Sequence, residues 1–159
     1  MKNDKAYLRK KLILKRKKNY LKARKFNFNL IFKLIKKHFS KKNIIIAGYY
    51  PSYYEVNVLG FLEKASKKKY KTVLPVLKSS NIMNFKSWIF QDPLYVNKFG
   101  MLEPKNSEKN IVPDLIMVPL VAFDSHLNRI GYGKGYYDRC LKKIAKIKKS
   151  AISLGIAYS

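Results

Sequence analysis

A single cysteine, Cys140, in 159 residues rules out an internal disulfide. Two histidines, His38 and His126, leave no Cys/His cluster of the kind that holds zinc. No apolar run approaches the ~20 residues of a membrane-spanning helix. The start, Met-Lys-Asn-Asp-Lys, runs into charged residues and lacks the apolar stretch of a secretory signal. A cytoplasmic protein without a membrane partner is therefore expected. Acids are scarce too: nine Asp and Glu stand against 35 Lys and Arg, a net charge of +26. What is present suits a folded chain, since 47% hydrophobic and 14% aromatic content is too rich for disorder. The length fits one domain, 1–159, with one core.

The positive charge invites a nucleic-acid reading. Two features temper it. The lysines are spread along the whole chain, and Lys, Asn, Ile, Phe and Tyr are the residues that A/T-rich codons favour. Salt-sensitive, sequence-blind adherence to nucleic acid is expected as a by-product, with no specific nucleic-acid partner. The same field attracts anionic substrates. With so few acids, those placed at loop and turn positions merit individual inspection.

Periodicity gives the elements. Residues 4–24 contain strong helix formers and neither Gly nor Pro; Lys5 and Arg9, four apart, share a face. A second helix is expected over 28–39, ending near His38. Residues 43–48 read as a buried β-branched strand, followed by a tyrosine-rich turn around Pro51 that ends in Glu55. A helix over 56–68 and a strand over 71–77 come next, then a strand over 81–90. Residues 91–110 look polar and turn-like, with 99–104 in no element. Strand 111–123, interrupted at Pro113 and Pro119, leads to a helix over 135–148 and a last strand over 150–158. Alternation of this kind predicts an α/β fold, a largely parallel sheet flanked by helices. Glu55, Asp124 and the glycine-rich loop all follow strands and so belong on the ligand-binding carboxyl edge.

The densest chemistry lies in that loop. Arg129-Ile-Gly-Tyr-Gly-Lys-Gly135 places three glycines in five residues with Lys134 between two of them. It stands between a strand and a helix whose apolar face would use Tyr137, Cys140, Leu141, Ile144 and Ile147. Strand, glycine loop and helix N-terminus together present backbone N–H groups to phosphate. The glycines equally suit a mere tight turn, with Lys134 solvated. The pattern is neither Gly-Lys-Ser/Thr nor Gly-x-Gly-x-x-Gly, so local spacing leaves both readings open.

In order along the chain, Lys5-Ala-Tyr-Leu-Arg9, Tyr50-Pro51 with Glu55-Val56, Leu74-Pro75, Gly100-Met-Leu-Glu-Pro104 and Val118-Pro…Ala-Phe-Asp124…Arg129-Ile-Gly-Tyr-Gly-Lys-Gly-Tyr-Tyr-Asp138-Arg139 resemble the 5-formyltetrahydrofolate cyclo-ligase (methenyltetrahydrofolate synthetase) family. The resemblance covers nearly the whole chain. It implies a Rossmann-like single domain and conversion of 5-formyltetrahydrofolate to 5,10-methenyltetrahydrofolate, with ATP as co-substrate and Mg²⁺ as cofactor. The γ-phosphoryl group would first activate the formamide oxygen; N10 would then close the ring as phosphate departs. Such chemistry needs positioning and charge neutralisation more than a protein nucleophile. The resemblance further implies that Lys5, Arg9 and the run Arg129, Ile130, Gly131, Tyr132, Gly133, Lys134, Gly135, Tyr136 and Tyr137 contact ATP. Lys134 and Arg129 would be catalytic, and Asp138 would hold the metal. Tyr50, Glu55, Tyr132 and Tyr136 would bind the folate, and a monomer is expected. Asp124 and Glu103 read as loop-shaping residues.

Two departures from the family pattern stand out. Leu120 occupies a usual glycine position, and its bulk is expected to repack the strand end beside the site. Similar proteins also continue past Tyr158 with a Gln, a His-Asp pair and final strand pieces. The C-terminal part of the family fold, with its second metal-side acid, is thus expected to be missing. The competing function is a truncated, non-catalytic remnant that binds folate, nucleotide or polyanions. A basic RNA-binding protein ranks third, since no RNA-recognition signature is present.

Overall fold

A computed structural model describes residues 2–20, 26–40, 43–52, 54–78, 82–105 and 109–158. In chain order the elements are α1 (Lys2–Asn19), α2 (Asn29–His38), β1 (Ile45–Ala47), α3 (Leu59–Lys67), β2 (Lys71–Leu77), β3 (Met83–Ser87), β4 (Leu94–Val96), β5 (Leu102–Pro104), β6 (Leu115–Pro119), β7 (Ala122–Phe123), β8 (Arg129–Ile130), α4 (Tyr136–Ile147) and β9 (Ile152–Ile156). Residues 21–24 of the expected first helix, and Asn81 at the start of the expected third strand, lie outside the described residues.

The central sheet has the order β3-β2-β1-β6-β9. Four strands are parallel, and β3 pairs antiparallel to β2 from Val73↔Ser87 to Leu77↔Met83. Successive strand residues point to opposite faces, and helices cover both. Ile46, Leu74, Leu115 and Met117 pack against Ile31 and Ile35 of α2 and Phe61, Leu62 and Ala65 of α3. Ala47, Val73, Ile116 and Val118 pack against Cys140 and Ile144 of α4 on the other face. Coverage of both faces is why these strands read as unbroken apolar runs, not as alternating ones. Each fully buried large side chain, Phe61 among them, contributes about 1.5–3 kcal/mol of transfer free energy.

Three expectations differ from the fold. Residues 94–104 form a two-stranded hairpin, β4–β5, where only turns were expected. Its strands are three residues long and only Pro104 among them is buried, so they are too short to impose a period on the sequence. Ile147 is 59% exposed, because α4 ends there as the chain turns toward β9. The run 111–123 is not one strand: β6 stops at Pro119, and β7 pairs with β8 in a small hairpin.

At the amino-terminal edge of the sheet, Asp114 fastens three elements. Its carboxylate accepts from the Ile45 amide at 2.8 Å and pairs with Lys148 at 2.7 Å, at the end of α4. Its backbone N–H donates to the Ile45 carbonyl and its carbonyl accepts from Ile152.

The opposite edge positions the site. The chain leaves β1 toward α3 and β2 on one side, and leaves β6 through α4 toward β9 on the other. The crevice where β1 and β6 diverge is the switch point at which open α/β sheets bind ligands. Helix α1 touches the loops that emerge there. Its Arg16 bonds residues after β6, and the Tyr20 ring just past its end packs against Tyr54 after β1 and Tyr158 after β9.

Candidate active site

The glycine-rich loop between β8 and α4 turns on left-handed backbone: Gly133 has φ +95° and Gly135, the N-cap of α4, has φ +67°. A Cβ at Gly133 would stand 3.3 Å from the Arg9 guanidinium, and one at Gly135 would stand 2.8 Å from that of Arg139. The positive φ favours glycine at both positions, and a Cβ at either would make a guanidinium shift. No side chain caps α4, so the N–H groups of its first turn have no side-chain cap competing with a ligand.

Cations gather on this loop. Arg9 Nε donates to the Gly131 carbonyl at 2.7 Å, and Arg139 Nη2 donates to the Lys134 carbonyl at 2.9 Å. Lys134 is exposed, as is Lys5, one turn before Arg9 on the same face of α1. Arg129 at the loop entrance forms an ion pair with Asp138 in the first turn of α4. Both partners reach solvent, so the pair is weakly held and open to exchange. Ile130 is half-buried in β8. The Phe99 ring, at the β4–β5 turn, lies edge-on to Tyr136 with centroids 6.5 Å apart, and Arg139 stacks over Tyr136 at 5.5 Å.

Behind the loop lies a buried carboxylate. Glu55 is only 6% exposed. It follows Tyr54, a non-glycine residue at φ +62°, and this left-handed step belongs to the tight turn that ends at Glu55. Its carboxylate accepts from the Ser52 amide at 2.7 Å and from the Tyr132 hydroxyl. The Tyr49 hydroxyl closes the same loop by donating to the Val56 carbonyl at 2.9 Å. Burial pushes the Glu55 carboxyl above the ordinary carboxylate range, against the Ser52 and Tyr132 hydrogen bonds and the Arg16 charge. Burial beside Glu55 likewise raises the Tyr49, Tyr132 and Tyr137 hydroxyls, which stay protonated donors. Tyr137 Oη is buried without a hydrogen-bond partner, a cost of about 1–3 kcal/mol that a ligand oxygen or water would relieve. Tyr50, 37% exposed, stands just after β1.

Several residues have plain structural roles. Asp124 accepts from the amides of His126 and Asn128 at 3.0 and 2.8 Å, so it shapes the β7–β8 turn. Glu103 accepts from the Leu77 amide and from Asn97, tying the β4–β5 hairpin to the end of β2. Ser125 and His126 sit exposed on a turn, 3.5 Å apart. Cys140 is buried and its thiol is pushed up to about 11, a poor nucleophile at neutral pH. The Leu120 side chain covers Gly155 of β9, where an added Cβ would meet it at 2.7 Å. It thus fills the strand end against β9.

Arg16 was not singled out by sequence. Its Nη1 donates to the Tyr132 hydroxyl at 2.9 Å and its Nη2 to the carbonyls of Leu120 and Val121 at 2.6 and 2.8 Å. Among 35 basic residues the one available signal was its position seven residues, two helical turns, after Arg9.

Fold and site together define an α/β protein of the doubly wound class, with its loops and a helix converging on the carboxyl edge. Within that class the chain belongs to the 5-formyltetrahydrofolate cyclo-ligase family, whose family model matches residues 1–159. It is 34% identical over 119 residues to a 5-formyltetrahydrofolate cyclo-ligase of Haemophilus influenzae, covering 71% of this chain and 63% of that protein. A probable 5-formyltetrahydrofolate cyclo-ligase of Schizosaccharomyces pombe is 35% identical over 96 residues, 56% of this chain and 47% of that one. The matched segments thus span less than two thirds of these relatives. The solution structure of an Aquifex aeolicus 5,10-methenyltetrahydrofolate synthetase superposes with a TM-score of 0.67 at 29% identity, covering 98% of this chain and 78% of that one. A 5,10-methenyltetrahydrofolate synthetase from Mycoplasma pneumoniae gives 0.62 at 27% identity, with 97% and 85% covered. Among the described residues no helix is long and apolar enough to cross a membrane.

Proposed function

We propose that this chain is an enzyme that converts 5-formyltetrahydrofolate to 5,10-methenyltetrahydrofolate at the expense of ATP, with Mg²⁺, releasing ADP and phosphate. The observation that carries the reading is the place of Tyr132. Its backbone belongs to the cation-lined glycine loop, and its hydroxyl reaches the buried Glu55, so one residue is a wall common to two subsites. An anion site and a carboxylate pocket sharing a wall suit a triphosphate and a pterin brought together.

In this reading the first-turn amides of α4, Lys5, Arg9 and the loop through Tyr137 hold the phosphates. Lys134 and Arg129 offset the charge that spreads over the γ-phosphoryl oxygens in transfer. The formyl oxygen takes the phosphoryl group as ADP leaves; N10 then attacks the same carbon, loses its proton, and phosphate departs. Glu55 accepts two N–H groups from the amino-pyrimidine edge of the pterin, with Tyr50, Tyr132 and Tyr136 lining the ring. Ionised Glu55 is the form that accepts both, so ligand donors would offset the burial that disfavours it.

The donor set constrains the metal. Among the described residues no three His, Cys, Asp or Glu side chains cluster. Mg²⁺ commonly takes one or two carboxylates together with substrate phosphates. Asp138, now paired with Arg129, would hold a metal that arrives with the nucleotide. When bound, Mg²⁺ would neutralise phosphate charge.

A folded sample with 5-formyltetrahydrofolate, ATP and Mg²⁺ is expected to form methenyltetrahydrofolate and ADP in equal amounts. Binding of neither ligand would overturn the reading. The second reading, a remnant that binds without turnover, draws on the lack of a cluster of three metal-binding side chains around Asp138 among the described residues; calorimetric binding of both ligands with no product would select it. Lys134→Ala is expected to lower kcat/KM for ATP about 10- to 100-fold with the melting temperature unchanged. The same reading makes the protein a cytoplasmic monomer that holds nucleic acid only non-specifically, which sedimentation and a salt titration of RNA binding would check.

A further inference from the structure

Helix α1 has no buried residue between Asp4 and Asn19; Leu12 and Ile13 are only half-buried. An apolar stripe this thin does little to dock a helix. Two arginines on one face make the specific contacts. Arg9 bonds the carbonyl of Gly131, and Arg16, about 10.5 Å further along the axis, bonds the hydroxyl of Tyr132 and two carbonyls beyond β6. Tyr132 in turn donates to Glu55.

We infer that Arg16 is a positioning residue: through Tyr132 it sets the Glu55 carboxylate in its ligand-accepting geometry, and so makes α1 the link between the glycine loop and the carboxylate pocket. The substrate side of this statement rests on the folate reading above. The chemistry of the guanidinium is specific to the task. One nitrogen, Nη2, spans the Leu120 and Val121 carbonyls while Nη1 points at the phenol. Lysine, a point charge on a flexible stem, cannot hold both directions at once. The Tyr132 oxygen accepts from Arg16, which leaves its own proton directed at Glu55. Rotation of the phenol is thereby removed before any ligand arrives, and preorganisation of this kind shows itself in affinity.

The plainer alternative is that Arg16 only satisfies the carbonyls of buried Leu120 and Val121. That role would lower stability and leave the folded pocket as it was. The Nη1 arm argues otherwise, because it serves neither carbonyl.

The test uses the full chain with Arg16→Lys, Arg16→Gln and Tyr132→Phe, and Lys15→Gln as a charge control on an exposed side chain of α1. Calorimetry with 5-formyltetrahydrofolate is expected to show affinity weakened about 10- to 100-fold in both Arg16 variants, the range of a lost charge-assisted hydrogen bond. Affinity for a non-hydrolysable ATP analogue should move by less than about threefold. Tyr132→Phe should reproduce the folate loss while keeping α1 docked, read as an unchanged melting temperature. Lys15→Gln should match wild type.

A ligand-free readout accompanies these: carbon NMR titration of Glu55, its signal assigned with Glu55→Gln. Glu55 faces the Ser52 amide and hydroxyl, the Tyr132, Tyr49 and Tyr137 hydroxyls, and Arg16. Removing the cation in Arg16→Gln should move the Glu55 midpoint upward. An unmoved midpoint together with unchanged folate affinity overturns the inference, even where the melting temperature falls. Failure of wild type to bind folate would defeat the folate reading alone, and the midpoint would still decide the positioning.

Discussion

Gly133→Ala isolates what the loop's geometry contributes. At φ +95° an alanine is outside the left-handed region it tolerates, a penalty of about 1–2 kcal/mol. Its Cβ would also stand 3.3 Å from Arg9 Cζ, so the guanidinium must withdraw by a few tenths of an ångström. That withdrawal strains the 2.7 Å bond from Arg9 Nε to the Gly131 carbonyl, with about 1 kcal/mol at stake. The sum is roughly 2–3 kcal/mol. For a domain of this size that lowers the melting temperature by about 4–12 °C. Urea unfolding followed by circular dichroism measures the stability loss, and calorimetry with an ATP analogue measures the loss at the site. Gly60→Ala is the control. Gly60 lies in α3 with open space around its Cβ position, so alanine there should stabilise by about 0.5–1 kcal/mol. A Gly133→Ala protein as stable as wild type, with unchanged nucleotide affinity, would refute the account of the loop.

Other outcomes follow from other parts of the molecule. Asp114→Ala should cost about 1.5–3 kcal/mol in urea unfolding, because it removes a charged acceptor from the Ile45 amide and the partner of Lys148. It should leave kcat unchanged, since Asp114 lies on the edge away from the glycine loop; a fall in kcat for the folded fraction counts against that placement. Cys140, with its thiol near 11, should resist alkylation at pH 8, where about one thiol in a thousand is ionised, and react freely in urea. Fast labelling of the native protein would contradict its burial. Glu55 has a raised folded value, so the native state retains a proton that the unfolded state gives up first. Its stability contribution is present below the ordinary carboxyl value and is lost as pH rises through the raised one. Wild type should therefore lose stability relative to Glu55→Gln on going from about pH 4 to pH 7. Parallel curves for the two proteins would show that Glu55 titrates as if exposed.

Sequence alone was enough for whatever depends on neighbours a few residues away. The apolar runs of β2, β6 and β9, the helical spacing of α3 and α4, and hence the α/β alternation, follow from local burial patterns. The motif residues from Arg129 to Asp138 carried the family. Element limits within a residue or two of expectation, as at α2 and β2, have the same origin. Local patterns also explain the failures. The strands of β4 and β5 are three residues each and half-exposed, so no period distinguishes them from turns. Ile147 fits the helical stripe of α4, yet it is exposed because the helix outruns the surface it packs on.

Pairings between distant residues belonged to the tertiary structure. Lys5 and Arg9 are equivalent in sequence, but it is Arg9 that meets Gly131, 122 residues away. Arg16 is one basic residue among many until the sheet order brings Leu120 and Val121, 104 and 105 residues later, under its guanidinium. Tyr132 could be assigned to the loop from its neighbours, whereas its hydroxyl's reach to a buried Glu55 required the turn at Tyr54 and the approach of two loops from different strands. A sequence pattern records which face of an element is apolar, because burial is repeated along the element. It does not record which polar atom meets which across the crevice, because each such meeting happens once and is fixed by the packing of the whole sheet.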